Sequence, residues 1–279
     1  MANTFKHIAV IGNYDDPRVI EPLALLTQHL TATGVSWKAD GQITDCDLII
    51  AIGGDGTILY ASRLARQTDT PILGINRGRL GFLADVTPDE MIASVDHVLA
   101  GEYAIDSRLL LEARLIRRSG DEEVAYGLND VVLQRRETGR MVDFETRVAG
   151  QFVNTHSGDG LIVATPTGST AYALSCGGPI IEPQLDAVVI VPICPHTLTD
   201  RPIVVSANQS IEISLMQRDN TKAEITVDGF SLGRFKPSDK LKISAANNRV
   251  TLVHPPGYDF YEILRSKLFW GRDSRKREN

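Results

Sequence analysis

Residues 48–59, LIIAIGGDGTIL, set an apolar run, a glycine loop and a second apolar run in direct succession. A glycine loop between a strand and a helix presents bare backbone N–H groups at a helix N-terminus, which favours an anion such as phosphate. Asp55, at the centre of this loop, would repel a phosphate unless a metal ion or a hydroxyl lay between them. The loop has neither the Gly-Lys-Ser/Thr of a Walker A motif nor the G-x-G-x-x-G of a dinucleotide fingerprint, which disfavours a Rossmann oxidoreductase. What remains is phosphoryl transfer: the N–H groups hold phosphate while the carboxylate meets a metal ion or takes the proton of an acceptor hydroxyl. The plainer alternative is a Gly-Asp-Gly turn in which Asp55 caps the helix near Thr57.

A second stretch, SGDGLIVATPTGSTAYALSCGGP at 157–179, carries Thr165, Thr167, Gly168, Ser169 and Thr170 just ahead of a short helical run. Small hydroxyl and glycine residues there form a second cradle for an anion or a base, and Tyr172 adds a flat face and a hydroxyl. The alternative is a Thr/Ser-rich turn with ordinary caps. His156, Ser157 and Asp159 suggest a hydrolase triad, but near-consecutive residues on an extended chain alternate faces, and the triad is rejected. Cys176 reads as a small filler. His196 reads as a loop histidine, with no second histidine spaced to share a metal.

The elements that would position these residues fall into two groups. Over residues 1–103, HIAVIG, DLIIAI and PILGIN read as strands. They alternate with helices over RVIEPLALLTQHLTATG, TILYASRLARQ and PDEMIASVDHVLAG. That alternation predicts an α/β domain with a mostly parallel sheet, whose ligands sit at the carboxyl ends of the strands. The GGDG loop and NRGRLGF both follow such ends and are expected to face one crevice. Residues 104–254 change character, with about ten short alternating or β-branched runs, RVTLVHP the last of them. That is too many for one flat sheet, so a β-rich domain of two packed layers is expected. YDFYEILRSKLFW, with Phe260, Ile263, Leu264 and Phe269 at helical spacing, predicts a final helix; residues from about 255 to 279 are expected to pack back on the first domain.

The 279 residues suffice for a large domain or two modest ones, and a hydrophobic share of 43% with 23% charged is that of a globular protein. A formal net charge of −6 gives no electrostatic footprint for nucleic acid. The short basic tail GRDSRKREN reads as solvated. Three cysteines at no metal-like or redox-like spacing predict free thiols and a cytoplasmic location. The N-terminal run reads as a strand rather than a signal peptide, and no apolar run approaches the roughly 20 residues of a membrane span.

Four blocks then carry a resemblance: GGDGT, GINRGRLGFL, LNDVVL and DGLIVATPTGSTAYALSCGGP. Together, in this order, they resemble the signature blocks of the NAD kinases, which make NADP from NAD. GGDG alone is shared with diacylglycerol kinases, sphingosine kinases and phosphofructokinases; TPTGSTAY is specific. The resemblance implies an α/β domain, a β-rich domain and a returning helix. It implies transfer of the γ-phosphoryl of ATP, with Mg²⁺, to the adenosine 2′-hydroxyl of NAD, in a homodimer or homotetramer. It makes Asp55 the catalytic carboxylate near that hydroxyl and sets Gly56 against the dinucleotide. Asn129 and Asp130 would contact the adenosine and ribose portions. Arg140 stands where the family often has a basic or histidine ligand, and Asp159 begins a strand toward the nicotinamide side. Thr170, Ala171, Tyr172 and Ser175 match the run around the NAD bases, and Asp228 matches a second acid close to the reactive ribose.

The chain departs from the family at two positions. Phe230 stands where many members have glutamine, and Ser157 where some carry arginine; the latter bears on the choice between NAD and NADH. Two rivals are a non-catalytic NADP(H) sensor on the same fold, and a GGDG-type kinase of a lipid or sugar acceptor.

Overall fold

Apolar runs build the central strands of the first sheet. The computed structural model describes residues 4–39, 43–78, 81–136, 141–217 and 222–270. The first elements are β1 (His7–Gly12), α1 (Pro17–Ala32), β2 (Ser36–Ala39), β3 (Leu48–Gly53), α2 (Asp55–Ala65), β4 (Ile72–Asn76), α3 (Met91–Leu99) and β5 (Ala104–Arg108). β3 and β4 are buried at every position, as parallel strands covered on both faces must be. Helix α1 starts where Asp16 accepts the Arg18 N–H at 3.0 Å, with Pro17 opening the helix, and Gly34 just past its end takes φ +72°. Its Val19, Leu23, Leu26 and Leu30 join Val10, Ile50, Ile52 and Leu73 in one core.

The second unit, Ser107–Val250, is built almost wholly of antiparallel strands. They are β6 (Leu111–Ile116), β7 (Glu122–Gly127), β8 (Asp130–Arg135), β9 (Val142–Val148), β10 (Gln151–Gly158) and β11 (Gly160–Ala164), then a short helix, α4 (Tyr172–Ser175). After it come β12 (Ala187–Ile193), β13 (Ile203–Ser206), β14 (Ile211–Leu215), β15 (Ala223–Val227), β16 (Phe230–Phe235) and β17 (Lys240–Ala245). They form two six-stranded sheets, ordered β10-β9-β14-β17-β6-β7 and β13-β12-β11-β8-β15-β16. Phe144, Ile213, Ile243 and Leu115 of one sheet share a core with Leu133, Val163, Ile190 and Ile225 of the other. β14 alternates buried and half-exposed residues, so one of its faces is wet. β11 is buried throughout, because Ala173 of α4 and Ile181 cover its second face beside Ile162 and Ala164.

The chain then returns with β18 (Val250–His254) and α5 (Phe260–Leu268). β18 pairs in parallel with β4, Leu252 opposite Ile72, and completes a sheet of order β2-β1-β3-β4-β18-β5. RVTLVHP was expected in the β-rich segment, and the structure corrects this. Helix α5 belongs to the first unit, with Asp259 capping it through the Tyr261 N–H and Ile263 and Leu264 buried.

Candidate active site

The glycine loop seats its carboxylate against a second loop of the same unit. β3 ends at Gly53, Gly54 begins α2, and Asp55 is the first helical residue. A Cβ at Gly53 would lie 2.0 Å from the Thr57 hydroxyl, so only glycine lets the chain turn this tightly into the helix. Asp55 does not cap the helix. Its Oδ2 accepts the Phe82 N–H at 3.1 Å and its Oδ1 the Leu83 N–H at 3.0 Å. These amides follow β4, Phe82 closing NRGRLGF and Leu83 directly after it, so the two strand ends expected to face one crevice meet through Asp55. A Cβ on Gly81 would sit 2.2 Å from Asp55 Oδ1. Asp55 remains half-buried, and each of its oxygens keeps a lone pair beyond the bond it accepts. The first amides of α2, at Asp55 and Gly56, have no acceptor within the helix.

In the second unit a different carboxylate organises the residues around Asn129. Asp228 takes φ +49° just after β15. Its Oδ2 accepts the Leu128 N–H at 2.7 Å, and its Oδ1 the Asn129 and Asp130 N–H groups at 2.8 and 3.0 Å. The strand start it clamps also supports the TPTGS turn. Thr165 N–H donates to the Asn129 carbonyl at 2.9 Å, and its hydroxyl donates to the Leu128 carbonyl at 2.5 Å. A Cβ on Gly168 would meet the Asn129 carbonyl oxygen at 2.1 Å. Buried Arg108 donates to the Thr167 hydroxyl at 3.1 Å. Burial, and then the nearby charge of Asp228, pushes the Asp130 carboxyl up to about 7.

The remaining site residues of this unit spread along β11. Ala164 pairs with Asp130, whereas Gly160 pairs with Gln134 at the other end of the strand. Asp159, beside that far end, forms an ion pair with Arg135 at 2.8 Å. Thr170 closes a turn of 3-10 helix, and Ala171, Tyr172 and Ser175 follow in and around α4, which packs along β11. Tyr172 is 43% exposed. Partial burial, together with Cys176, Cys194 and Asp159, raises its hydroxyl pKa. The structure thus gathers Asn129, Asp130, Asp228 and the TPTGS turn, and sets Asp159 apart from them along β11. Arg140 lies outside the described residues. Phe230 is half exposed beside Asp228. The amides of Phe82 and Leu83 and the side chain of Arg108 were not foreseen from the sequence. Gly81 and Gly168 were the available signals, since a glycine marks close approach when the neighbouring group is known.

Residues 36–103 match the family described as ATP-NAD kinase N-terminal domain, and residues 128–255 match ATP-NAD kinase C-terminal domain. NAD kinase of Nitrosococcus oceani is 42% identical over 98% of this chain and 99% of its own length. NAD kinase of Hahella chejuensis is 43% identical over 95% of this chain and 96% of its own length. An NAD kinase from Archaeoglobus fulgidus in complex with ATP superposes with a TM-score of 0.75 at 26% identity, covering 94% of this chain and 97% of that one. Yeast NADH kinase complexed with NADH shares the fold at a TM-score of 0.87 and 22% identity, over 96% of this chain and 88% of that one. The chain belongs to the NAD kinase family.

Proposed function

We infer that this chain transfers the γ-phosphoryl of ATP to the adenosine 2′-hydroxyl of NAD, giving NADP and ADP. The observation that carries the reading is the seating of Asp55, half-buried at the head of α2 with two fixed N–H donors and free lone pairs. In this reading the 2′-oxygen attacks the γ-phosphorus in line, the bond to the β-phosphate oxygen breaks, and the hydroxyl proton passes to Asp55. Mg²⁺ enters as part of the substrate, on the triphosphate. The backbone amides around Gly56 take an anionic group of the dinucleotide. Most of the acceleration comes from placing the nucleophile, a contribution of roughly 7–11 kcal/mol in well-oriented systems.

In this reading Asn129 and Asp130 contact the adenosine and ribose portions, and Thr170, Ala171, Tyr172 and Ser175 surround the NAD bases. Asp159 stands toward the nicotinamide side, Arg140 serves as a basic ligand, and Asp228 sets the positions of Asn129 and Asp130 near the ribose. Cytoplasmic location and assembly as a homodimer or homotetramer complete it. Among the described residues no helix is long and apolar enough to cross a membrane. Sedimentation of the purified protein tests the assembly.

A coupled assay tests the reaction. Mg²⁺-ATP and NAD are supplied, and an NADP-specific dehydrogenase reports NADP, with Asp55→Asn alongside. NADP formed by the wild type and lost in the variant supports both the reaction and the base. Binding of NADP with no turnover by wild type would favour a sensor instead.

A further inference from the structure

We propose that His254 is a positioning residue for Asp55: bridging Asp85 and Asp106, it fixes the 81–86 segment whose amides orient the Asp55 carboxylate. The proposal rests on the reading of Asp55 as the base. The segment closes on itself and is tied outside itself to β4 and to His254. Gly81 N–H donates to the Ala84 carbonyl at 2.9 Å, and Val86 bridges to β4, with Asn76 N–H donating to its carbonyl at 2.8 Å. Between these lies Asp85, whose Oδ2 stands 2.8 Å from His254 Nδ1. On the other side of the ring, Nε2 stands 3.3 Å from Asp106 Oδ2 on β5. A carboxylate at each ring nitrogen is satisfied by the imidazolium, the only form that donates from both.

Asp85 depends on that cation. Its Oδ1 is buried with no hydrogen-bond partner among the described residues, so His254 supplies the interaction that keeps the carboxylate inside. Beside it opens a cavity of about 470 Å³ walled in part by Asp85, Glu90, Tyr258 and Glu262. That space lets Asp85 swing away when its partner is lost, carrying the backbone of the segment with it. The groups facing the ring are Asp85 from the segment, Asp106 from β5 and the Tyr258 ring ahead of α5, stacked at 3.7 Å between centroids. The cavity wall beyond Asp85 adds Glu90, Asp259, Glu262 and His97. Burial alone would depress the His254 pKa, but hydrogen bonds and charges from Asp106 and Asp85 outweigh it, and the net shift is upward. The bridge therefore persists to higher pH than an ordinary imidazolium would and fails as pH rises through the raised value.

Two amide replacements separate the bonds, because an asparagine nitrogen stands near the place of Nδ1 and a glutamine nitrogen near that of Nε2. His254→Asn keeps the link to Asp85; His254→Gln keeps only the link to Asp106. We expect His254→Gln to lose about tenfold or more in kcat at unchanged KM for NAD, and His254→Asn to retain most of it. Equal kcat in the two variants, or a loss confined to melting temperature, would overturn the proposal. The wild type supplies a second test that needs no variant: the ¹⁵N shifts of the Phe82 and Leu83 amides should titrate with the His254 ring. Flat shifts would also overturn it. Asp55→Asn measured in parallel keeps the readings apart, because turnover surviving there removes the base while the amide titration still reports the positioning.

Discussion

Two carboxylates, one in each unit, are held by backbone N–H groups, and they differ in what is left over. Asp228 sits in the left-handed region, nearly buried, with three amides on its two oxygens. Asp55 sits at a helix start, half-buried, with two amides from a neighbouring loop. A buried carboxylate that accepts three N–H bonds is a structural anion, tying Leu128–Asp130 to the end of β15. A half-buried one with spare lone pairs is oriented yet able to take a proton. The same residue type and the same kind of partner thus yield a clamp in one place and a candidate base in the other, and exposure decides between them.

The sharpest way to break the comparison is to neutralise each acid in turn. Asp55→Asn should lower kcat by about 10²–10⁴-fold with little change in melting temperature, read in the coupled assay and by calorimetry. Gly81→Ala tests orientation without touching the acid. Its Cβ, built 2.2 Å from Asp55 Oδ1, forces the carboxylate aside, and kcat should fall by about 10–100-fold while NAD affinity holds. Asp228→Asn should do the reverse. It leaves one acceptor for three donors, two of them buried, each unmet buried donor costing about 1–3 kcal/mol, so melting temperature drops and KM for NAD rises more than kcat falls. If Asp228→Asn instead cut kcat at unchanged KM and stability, the clamp reading would fail.

The smallest effect belongs to Asp130 and concerns pH. Its folded-state pKa of about 7 lies above the ordinary 3.8, so the folded chain binds the extra proton between those values. Stability from this group is therefore full below about pH 3.8 and is lost as pH rises through about 7. Asp130→Asn should raise the melting temperature by a few degrees at pH 8 and by almost nothing near pH 4. A uniform offset at both pH values would show that the charge is not the cause.

Much of the first unit was readable because its strands are continuous apolar runs and its helices carry their own stops. β2 was missed, since SWKA buries only part of Trp37. β5 was missed for a physical reason: its buried residues are Asp106 and Arg108, the inverse of the hydrophobic pattern. β16 has an irregular burial pattern and pairs across a register shift, which blurs its period. β17 does alternate, with Leu241 and Ile243 buried between exposed lysines, and the reading passed over it. The placement of β18 was not legible, because pairing with β4 is a long-range choice that the local pattern of RVTLVHP does not encode. In the site, Asp55 and the TPTGS turn stood out through motif chemistry. Their partners did not, because a backbone amide has no side chain to announce it.

The return of β18 has a consequence for synthesis. The sheet that carries Asp55 leaves β4 at Asn76 and lacks its neighbour on that side until His254 has been made. At ribosomal rates of about 5–20 residues per second, the growing chain waits on the order of 10–30 s with that edge unpaired. During that interval the β-rich unit, whose strands lie wholly between 107 and 250, can complete itself first. The segment made earlier is thus closed by the last strand translated, and a nascent chain stalled before residue 250 would hold a finished insert within an open host sheet.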